Sequence, residues 1–476
     1  MAEDTNSDSI VKVHTAVIGS GPAGYAAAFR LADILGKNKT IALIERQKGE
    51  NNQAVLGGVC LNEGCIPSKT FLHIAEWINE GRELNGHGIE MDSLTVSKDS
   101  LLVHKNKVVK QLNQGIAMLA KKRQVKVLCG DAKFQDAHTL QVGSTQVVFD
   151  HAVIATGSRP ICLPFLPDDP RVLDSTTALE LPSIEGKMLV IGGGIIGCEM
   201  ATFYQAFGMQ VTIVEMLDQI MAGADADLVK PCQQMMEKRG VAIKLGAKVV
   251  KVTATDDGLV ADLVLADGSS VQETFALVLQ SVGRRPNTQG FGLEELNIAL
   301  TSEGYIQIDE GYRTSHSHIY AIGDVAGNPM LAHKGTVEGR LVAEIISGKR
   351  LKMDAKIPSV AYTDPEVAWV GYTEEQAKRD AVAYKKAVFP WMACGRSLCL
   401  GRTEGLTKLL VDPKTNRIIG AGIVGTSAGD LLSELTLAIE MGCDVEDIAL
   451  TIHPHPTLSE TVGLAAEVYE GTVTDL

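Results

Sequence analysis

The stretch "TAVIGSGPAGYAAAFRLADIL", Thr15 to Leu35, decides how the chain begins to fold. A short β-branched run leads into Gly19, Gly21 and Gly24, and an alanine-rich segment suited to helix follows. The next run, "TIALIER", reads as a second strand that ends near Glu45, 26 residues after Gly19. The first two glycines permit a tight turn and close approach of a pyrophosphate, and the third lets helix and strand pack closely. The helix N-terminus adds free amides and a positive dipole, and an acid closing the second strand can bond ribose hydroxyls. A lone glycine triplet is weak evidence. Strand, triplet, helix, strand and acid in that order specify a dinucleotide-binding unit.

The same order returns in "KMLVIGGGIIGCEMATFYQAFGMQVTIVEM", Lys187 to Met216, with Gly192, Gly194 and Gly197, then Ile195 and Ile196 heading the helix, and Glu215 closing the strand. One chain thus reads as holding two dinucleotides, an arrangement suited to passing electrons from one to the other. Met216 and Leu217 follow Glu215, with no Arg or Lys nearby to meet a 2′-phosphate, which favours NAD over NADP.

Composition sets the outer limits. The 476 residues suffice for about three domains at the usual size. With 44 basic against 58 acidic residues the net charge is −14, which argues against a nucleic acid partner because no basic excess exists to displace counterions. The start "MAEDTNSDSI" lacks the apolar core of a secretion signal, and no apolar run approaches ~18 residues. A soluble, cytoplasmic protein with no membrane span is expected. The nine cysteines are sparse and odd in number, unlike a secreted disulfide framework, so most are expected to be packed thiols. No metal site is expected.

Two cysteines stand apart in "GGVCLNEGCIPSKT", Gly57 to Thr70. In a regular helix Cys60 and Cys65 would be separated by ~7.5 Å along the axis and face different ways, whereas a disulfide needs Cα atoms within ~7 Å. Gly64 and Pro67 permit a distorted turn that could close this gap, with a helix starting around Pro67 whose N-terminus would stabilise a thiolate. Such a pair accepts two electrons and two protons, the stoichiometry of a flavin or a nicotinamide. Cys394 and Cys399 in "ACGRSLC" have the same spacing but neither the glycine lead-in nor the trailing proline, and read as packed thiols. Near the far end, "TIHPHPTLSE" offers a histidine that titrates near neutral pH beside a carboxylate able to fix its tautomer.

Together "GGVCLNEGCIPSK", the two glycine devices, "ATG" at Ala155 to Gly157, "YAIGD" ending at Asp324 and "HPHPTLSE" from His453 to Glu460 resemble the pyridine nucleotide–disulfide oxidoreductases along essentially the whole chain. The resemblance implies an α/β fold with two Rossmann-like domains, for FAD and NAD, and a C-terminal α+β dimerisation domain. Its boundaries would fall at 1–155 for FAD, 156–280 for NAD, 281–350 for a central domain completing the FAD site, and 351–476 for the interface. FAD contacts would map onto Gly19, Gly21, Gly24, Glu45, Gly58, Val59, Lys69, Ala132, Thr156, Gly157, Asp324 and Ala332. NAD contacts would map onto Gly192 to Gly197, Glu215, Val249 and Gly283. Family precedent makes Cys60 the thiol that exchanges with substrate and Cys65 the one facing the flavin, pairs Lys69 with Glu199, and assigns His455 as base with Glu460 as its orienter. That base would serve the cysteines of the other subunit, so a homodimer is implied.

Within the family the chain is most similar to the branch that oxidises protein-bound dihydrolipoamide with NAD⁺. That similarity implies as partners the lipoyl domains and acyltransferase core of 2-oxo acid dehydrogenase complexes, or the lipoyl carrier of glycine cleavage. Three details depart from the pattern. Pro454 stands between His453 and His455 where alanine is common, Gln280 replaces an apolar residue, and the loop "QKGENNQAVL" before Gly57 is long.

Overall fold

The computed structural model describes residues 9–49, 52–89, 93–474 and 476; the polar start Met1–Asp8, and Glu50 and Asn51 of the long loop, lie outside them. The chain forms two units. One comprises residues 1–67, 100–161 and 283–354, and the other residues 68–99, 162–282 and 355–476.

The first unit is built on a seven-stranded sheet. Strands β1 (Ser9–Ile18), β2 (Ile41–Glu45) and β3 (Lys126–Cys129) run parallel, and β6 (Thr145–Ile154) lies parallel to β1 on its other side. Beyond β6, β5 (Thr139–Val142) and β4 (Ala132–Asp136) pair antiparallel, while β17 (Ile319–Ala321) pairs with the C-terminal end of β6 in parallel. Every residue of β2 is buried, as a short apolar run covered on both faces requires. One face is covered by helices α1 (Pro22–Leu35), α4 (Lys98–Lys122) and α7 (Ala332–Ile346), where Leu31, Ala120 and Val342 meet Val17 and Val153. The opposite face packs Val13, Phe149, Phe134 and Ile306. A small ribbon joins β7 (Ser158–Pro160) to β16 (Arg284–Pro286).

The second unit holds a five-stranded parallel sheet in the order β11 (Ala242–Lys244), β10 (Gln210–Val214), β9 (Lys187–Ile191), β15 (Leu277–Gln280), β8 (Val172–Leu173). It carries α5 (Ile195–Phe207) and α6 (Ala226–Lys238), and a three-stranded meander of β12 (Lys248–Thr255), β13 (Gly258–Val264) and β14 (Ser270–Phe275). Its C-terminal part is an antiparallel sheet ordered β18 (Ser359–Ala361), β19 (Glu366–Gly371), β22 (Ile418–Gly425), β21 (Leu406–Val411), β20 (Lys385–Pro390). Around it lie α8 (Glu374–Arg379), α9 (Gly395–Leu400), α10 (Ala428–Met441), α11 (Val445–Ala449) and α12 (Glu460–Glu470), over a core of Trp391, Phe389, Ile423, Leu432 and Val462. Two Rossmann-type sheets and a C-terminal α+β part are the α/β architecture that the sequence implies.

The departure at Gln280 has a physical reason. Its buried side chain ends β15 and its Oε1 accepts a hydrogen bond from the Leu163 amide at 2.8 Å, which an apolar residue could not do.

Candidate active site

Both glycine devices take the same shape. After β1, Gly19 turns with φ +99°, and a Cβ on Gly24 would lie 1.9 Å from the Gly19 carbonyl oxygen. After β9, Gly192 turns with φ +100°, and a Cβ on Gly197 would lie 2.1 Å from the Gly192 oxygen. Gly21 and Gly194 cap α1 and α5. The acids close each device from behind. Glu45 Oε2 accepts the Ser20 amide at 3.0 Å and the Ser20 hydroxyl at 2.6 Å, and Glu215 Oε2 accepts the Gly193 amide at 2.6 Å. At Gly194 a Cβ would meet nothing within 4 Å, so the helix N-terminus faces open space. A backbone cradle with free helix amides and open room suits a pyrophosphate, and the residues present fit a dinucleotide in each copy.

The cysteine segment is docked on the first device. Helix α2 (Gly58–Glu63) starts where a Cβ on Gly58 would come within 2.6 Å of the Gly21 Cα, and the Gly57 amide donates to the Ser20 carbonyl at 3.0 Å. Cys60 is half-buried in α2. Cys65 is exposed and opens α3 (Cys65–Glu83), so the second helix begins two residues before Pro67, which sits in its first turn, where its missing N–H costs no intrahelical hydrogen bond. Gly64 breaks the two helices apart. A Cβ there would lie 3.0 Å from the Val59 oxygen and 3.3 Å from the Cys60 Cα, so a side chain would crowd the backbone at the kink that turns the chain between the cysteines. The long helix α3 places its positive dipole at Cys65. Tyr25 on α1 went unnoticed in the sequence; its hydroxyl is pushed above its ordinary range, first by burial and next by the nearby Cys60.

In the second unit Lys69 and Glu199 meet. Lys69 Nζ lies 2.8 Å from both carboxylate oxygens of the buried Glu199, two residues past Gly197 on α5. The same carboxylate accepts the Ser68 hydroxyl at 3.1 Å and the Tyr362 amide at 3.0 Å, and Lys69 Nζ stands 4.7 Å from the centre of the Tyr362 ring. Ser68 and Tyr362 were invisible as partners from the sequence, because Tyr362 is 163 residues from Glu199.

His455, near the C-terminal end, is held by a carboxylate. His455 Nδ1 lies 2.8 Å from Glu460 Oε1, and Glu460 Oε2 accepts the Thr457 amide at 2.7 Å, which fixes the carboxylate at the start of α12. With Nδ1 committed, Nε2 is the nitrogen left to take a proton, on a ring whose side chain is 77% exposed. Burial pushes the Glu460 carboxyl up, but the Thr457 amide and His455 outweigh it and hold the group below its usual range. Cys394 is buried and its Sγ lies 3.7 Å from the Thr457 carbonyl, beneath the same loop, while Cys399 is exposed.

Asp324 Oδ2 accepts the Ser158 hydroxyl at 2.6 Å, and Arg284 Nε donates to that hydroxyl at 2.8 Å. Thr156 and Asn287 exchange two bonds, and the Asn287 amide donates to the Gly157 carbonyl. Ala332 opens α7, Gly283 precedes β16, Val59 is exposed on α2, Val249 lies on β12, and Ala132 starts the edge strand β4 against the sheet core. Among the described residues, one acidic group has metal-like spacing: Asp225, Asp227 and Glu374. Its centre already holds the Lys408 ammonium, at 2.6, 2.5 and 3.2 Å.

Residues 13–339 match the pyridine nucleotide-disulphide oxidoreductase family and residues 357–466 match that family's dimerisation domain. The chain belongs to the pyridine nucleotide-disulphide oxidoreductases. It is 49% identical over 472 residues to the dihydrolipoyl dehydrogenase of Vibrio cholerae, covering 98% of this chain and 97% of the relative. The solved structure of LpdA from Mycobacterium tuberculosis superposes with TM-score 0.86 at 25% identity, covering 96% of this chain and 99% of that one. The HOCl-induced flavoprotein disulfide reductase RclA from Escherichia coli gives 0.84 at 26% identity, covering 96% and 99%. As a member of this family the chain is an oxidoreductase that uses FAD and a pyridine nucleotide around a disulfide redox centre.

Proposed function

We propose that the protein is a dihydrolipoyl dehydrogenase that oxidises protein-bound dihydrolipoamide to lipoamide and reduces NAD⁺, through a disulfide between Cys60 and Cys65. The observation that carries this reading is the joining of the cysteine helix to the first glycine loop: Gly57 and Gly58 rest on Ser20 and Gly21, so a thiol pair is seated beside a dinucleotide cradle.

His455 Nε2 takes the proton from one substrate thiol, and the resulting thiolate attacks Cys60 Sγ. The Cys60–Cys65 bond breaks, a substrate–Cys60 disulfide forms, and Cys65 leaves as a thiolate stabilised by the N-terminus of α3. The second substrate thiol, giving up its proton, then attacks the sulfur bound to Cys60 and closes the lipoyl ring, releasing the Cys60 thiol. FAD, when bound, supplies the two-electron carrier that reoxidises the dithiol and passes hydride to NAD⁺. Glu45 and the loop Gly19 to Gly24 would hold it with Lys69, Asp324 and Ala332, and Gly192 to Gly197 with Glu215 would hold NAD. Glu199 keeps the Lys69 ammonium in place throughout.

The protein acts as a homodimer in which His455 serves the cysteines of its partner. Leu437, Met441, Leu450 and Ile452 support that reading: they are large, apolar and 62–96% exposed, and all lie in the stretch matched to the dimerisation domain. The division into FAD, NAD, central and interface domains at 155, 280 and 350 belongs to the same reading. Among the described residues no helix is long and apolar enough to cross a membrane. Cytoplasmic lipoyl domains of 2-oxo acid dehydrogenase or glycine-cleavage complexes are the proposed partners.

The test is NADH formation from dihydrolipoamide by purified holoprotein. Steady turnover in the wild type that vanishes in Cys65→Ser supports the relay, and turnover that persists in the variant refutes it.

A further inference from the structure

The Lys69 ammonium is held by two groups of different character. Both Glu199 carboxylate oxygens take it at 2.8 Å, and Nζ also stands over the Tyr362 ring, 4.7 Å from its centre. A ring face within about 6 Å attracts a cation through its quadrupole yet carries no net charge. The carboxylate therefore offsets the positive charge that it holds, whereas the ring restrains the ammonium and leaves its charge whole. Restraint matters for a lysine, whose four-carbon stem lets the head group swing, and the Lys69 side chain is 33% exposed.

The ring itself hangs from a firmly gripped segment. Tyr362 opens the short connection from β18 to β19, and its amide donates to Glu199 Oε1 at 3.0 Å. Thr363 Oγ1 accepts the thiol of Cys232 on α6 at 3.2 Å. Arg239, just past α6, donates from Nη1 to the Asp364 carbonyl at 2.8 Å and lies 2.6 Å from its Oδ2, while Arg402 binds the other oxygen of that carboxylate. Glu366 Oε2 accepts the Gly429 amide, at the start of α10, at 2.8 Å. Successive residues are thus tied to α5, α6 and α10. Tyr362 nevertheless stays 39% exposed, so its ring adds little to the core and packing alone does not account for its place over Lys69.

We propose that Tyr362 is a positioning residue whose ring face fixes the Lys69 ammonium without neutralising it, so that a full positive charge is presented at one place beside the flavin. The inference rests on the reading that puts Lys69 at the flavin. A cation fixed there favours the electron-rich, reduced ring, and a cation free to swing into solvent favours it less. The Tyr362 hydroxyl has no part in this, and the bond from the Tyr362 amide to Glu199 survives any change of side chain.

Two measurements on the holoprotein test the proposal. In protein labelled with ¹³Cε-lysine, the Lys69 signal, identified by its loss in Lys69→Met, is expected to lie upfield through the ring current of Tyr362, to stay there in Tyr362→Phe and to move downfield in Tyr362→Leu. A Lys69 signal at the ordinary lysine position in the wild type, or one unmoved in Tyr362→Leu, overturns the contact. By equilibration with a dye of known potential, Tyr362→Leu is expected to lower the flavin potential by about 9–21 mV, the two- to five-fold change in equilibrium that such a contact is worth, and Tyr362→Phe is expected to keep the wild-type value. Equal shifts in the two variants, or none in Tyr362→Leu, would mean a merely structural role and overturn the positioning. Lys69→Met separates the two levels: an unchanged flavin potential in that variant defeats the placement of Lys69 at the flavin, whatever the ring does.

Discussion

A single side chain can be judged by what remains when it is removed. If His455 is the base, removing it leaves the cysteine pair in place but no proton acceptor, so His455→Gln is expected to slow dithiol oxidation by ~10²–10⁴-fold while NADH-driven reduction of the flavin continues, as stopped-flow kinetics would read separately. Lys408 is a different case. Buried among Asp225, Asp227 and Glu374, it balances three carboxylates, and Lys408→Met is expected to cost ~3–5 kcal/mol in denaturant unfolding. Burial opposes ionisation of Glu374, but Lys386 and Lys408 outweigh it and hold its carboxyl down to about 2 from an ordinary 4.5. A carboxyl depressed on folding stabilises above its unfolded pKa, so that contribution is present above about 4.5 and is lost as pH falls towards 2. Acid unfolding of Glu374→Gln should show a shallower loss across that window. The pairing of His455 with Glu460 was legible because five residues separate them in one turn. The pairings of His453 with Glu434, and of Glu199 with Ser68 and Tyr362, were not, because each depends on which helix or strand the tertiary fold brings alongside.

Within a single element, the glycine devices were the readable part. The carbonyl of the first glycine occupies the place a Cβ on the third would need, so the sequence spacing directly encodes how closely helix and turn pack. Gly24→Ala, with a Cβ 1.9 Å from the Gly19 oxygen, is expected to yield protein depleted in flavin, measured as absorbance per chain. Gly197→Ala, at 2.1 Å from the Gly192 oxygen, is expected instead to raise the KM for NAD⁺ with flavin content intact. Equal flavin loss in both would contradict the assignment of one device to each cofactor. The cysteine segment was only half readable. Gly64 announced a break, yet a second helix beginning at Cys65 rather than Pro67 follows from proline being tolerated anywhere in a first turn. The return of residues 283–354 to the first unit was implied only by the resemblance that "YAIGD" carries, since β17 is three residues long and finds its place beside β6 by long-range pairing.

Across the whole molecule, the proposed mechanism requires two chains. If His455 serves the partner's cysteines, hybrid dimers of Cys65→Ser and His455→Gln regain one working site each. Random re-pairing of two inactive homodimers should then restore about a quarter of wild-type activity, since half the dimers are hybrid and one of their two sites is intact. No recovery in demonstrably mixed dimers would place base and thiols in one chain. Beneath that arrangement lies the central claim, that Cys60 and Cys65 form the redox centre through which dithiol electrons reach the flavin. The most direct measurement is the visible spectrum of holoprotein given one equivalent of dihydrolipoamide without oxygen. A long-wavelength thiolate-to-flavin band that appears in the wild type and is absent in Cys65→Ser is the predicted result; direct bleaching of the flavin with no such band, equally in both proteins, would contradict it.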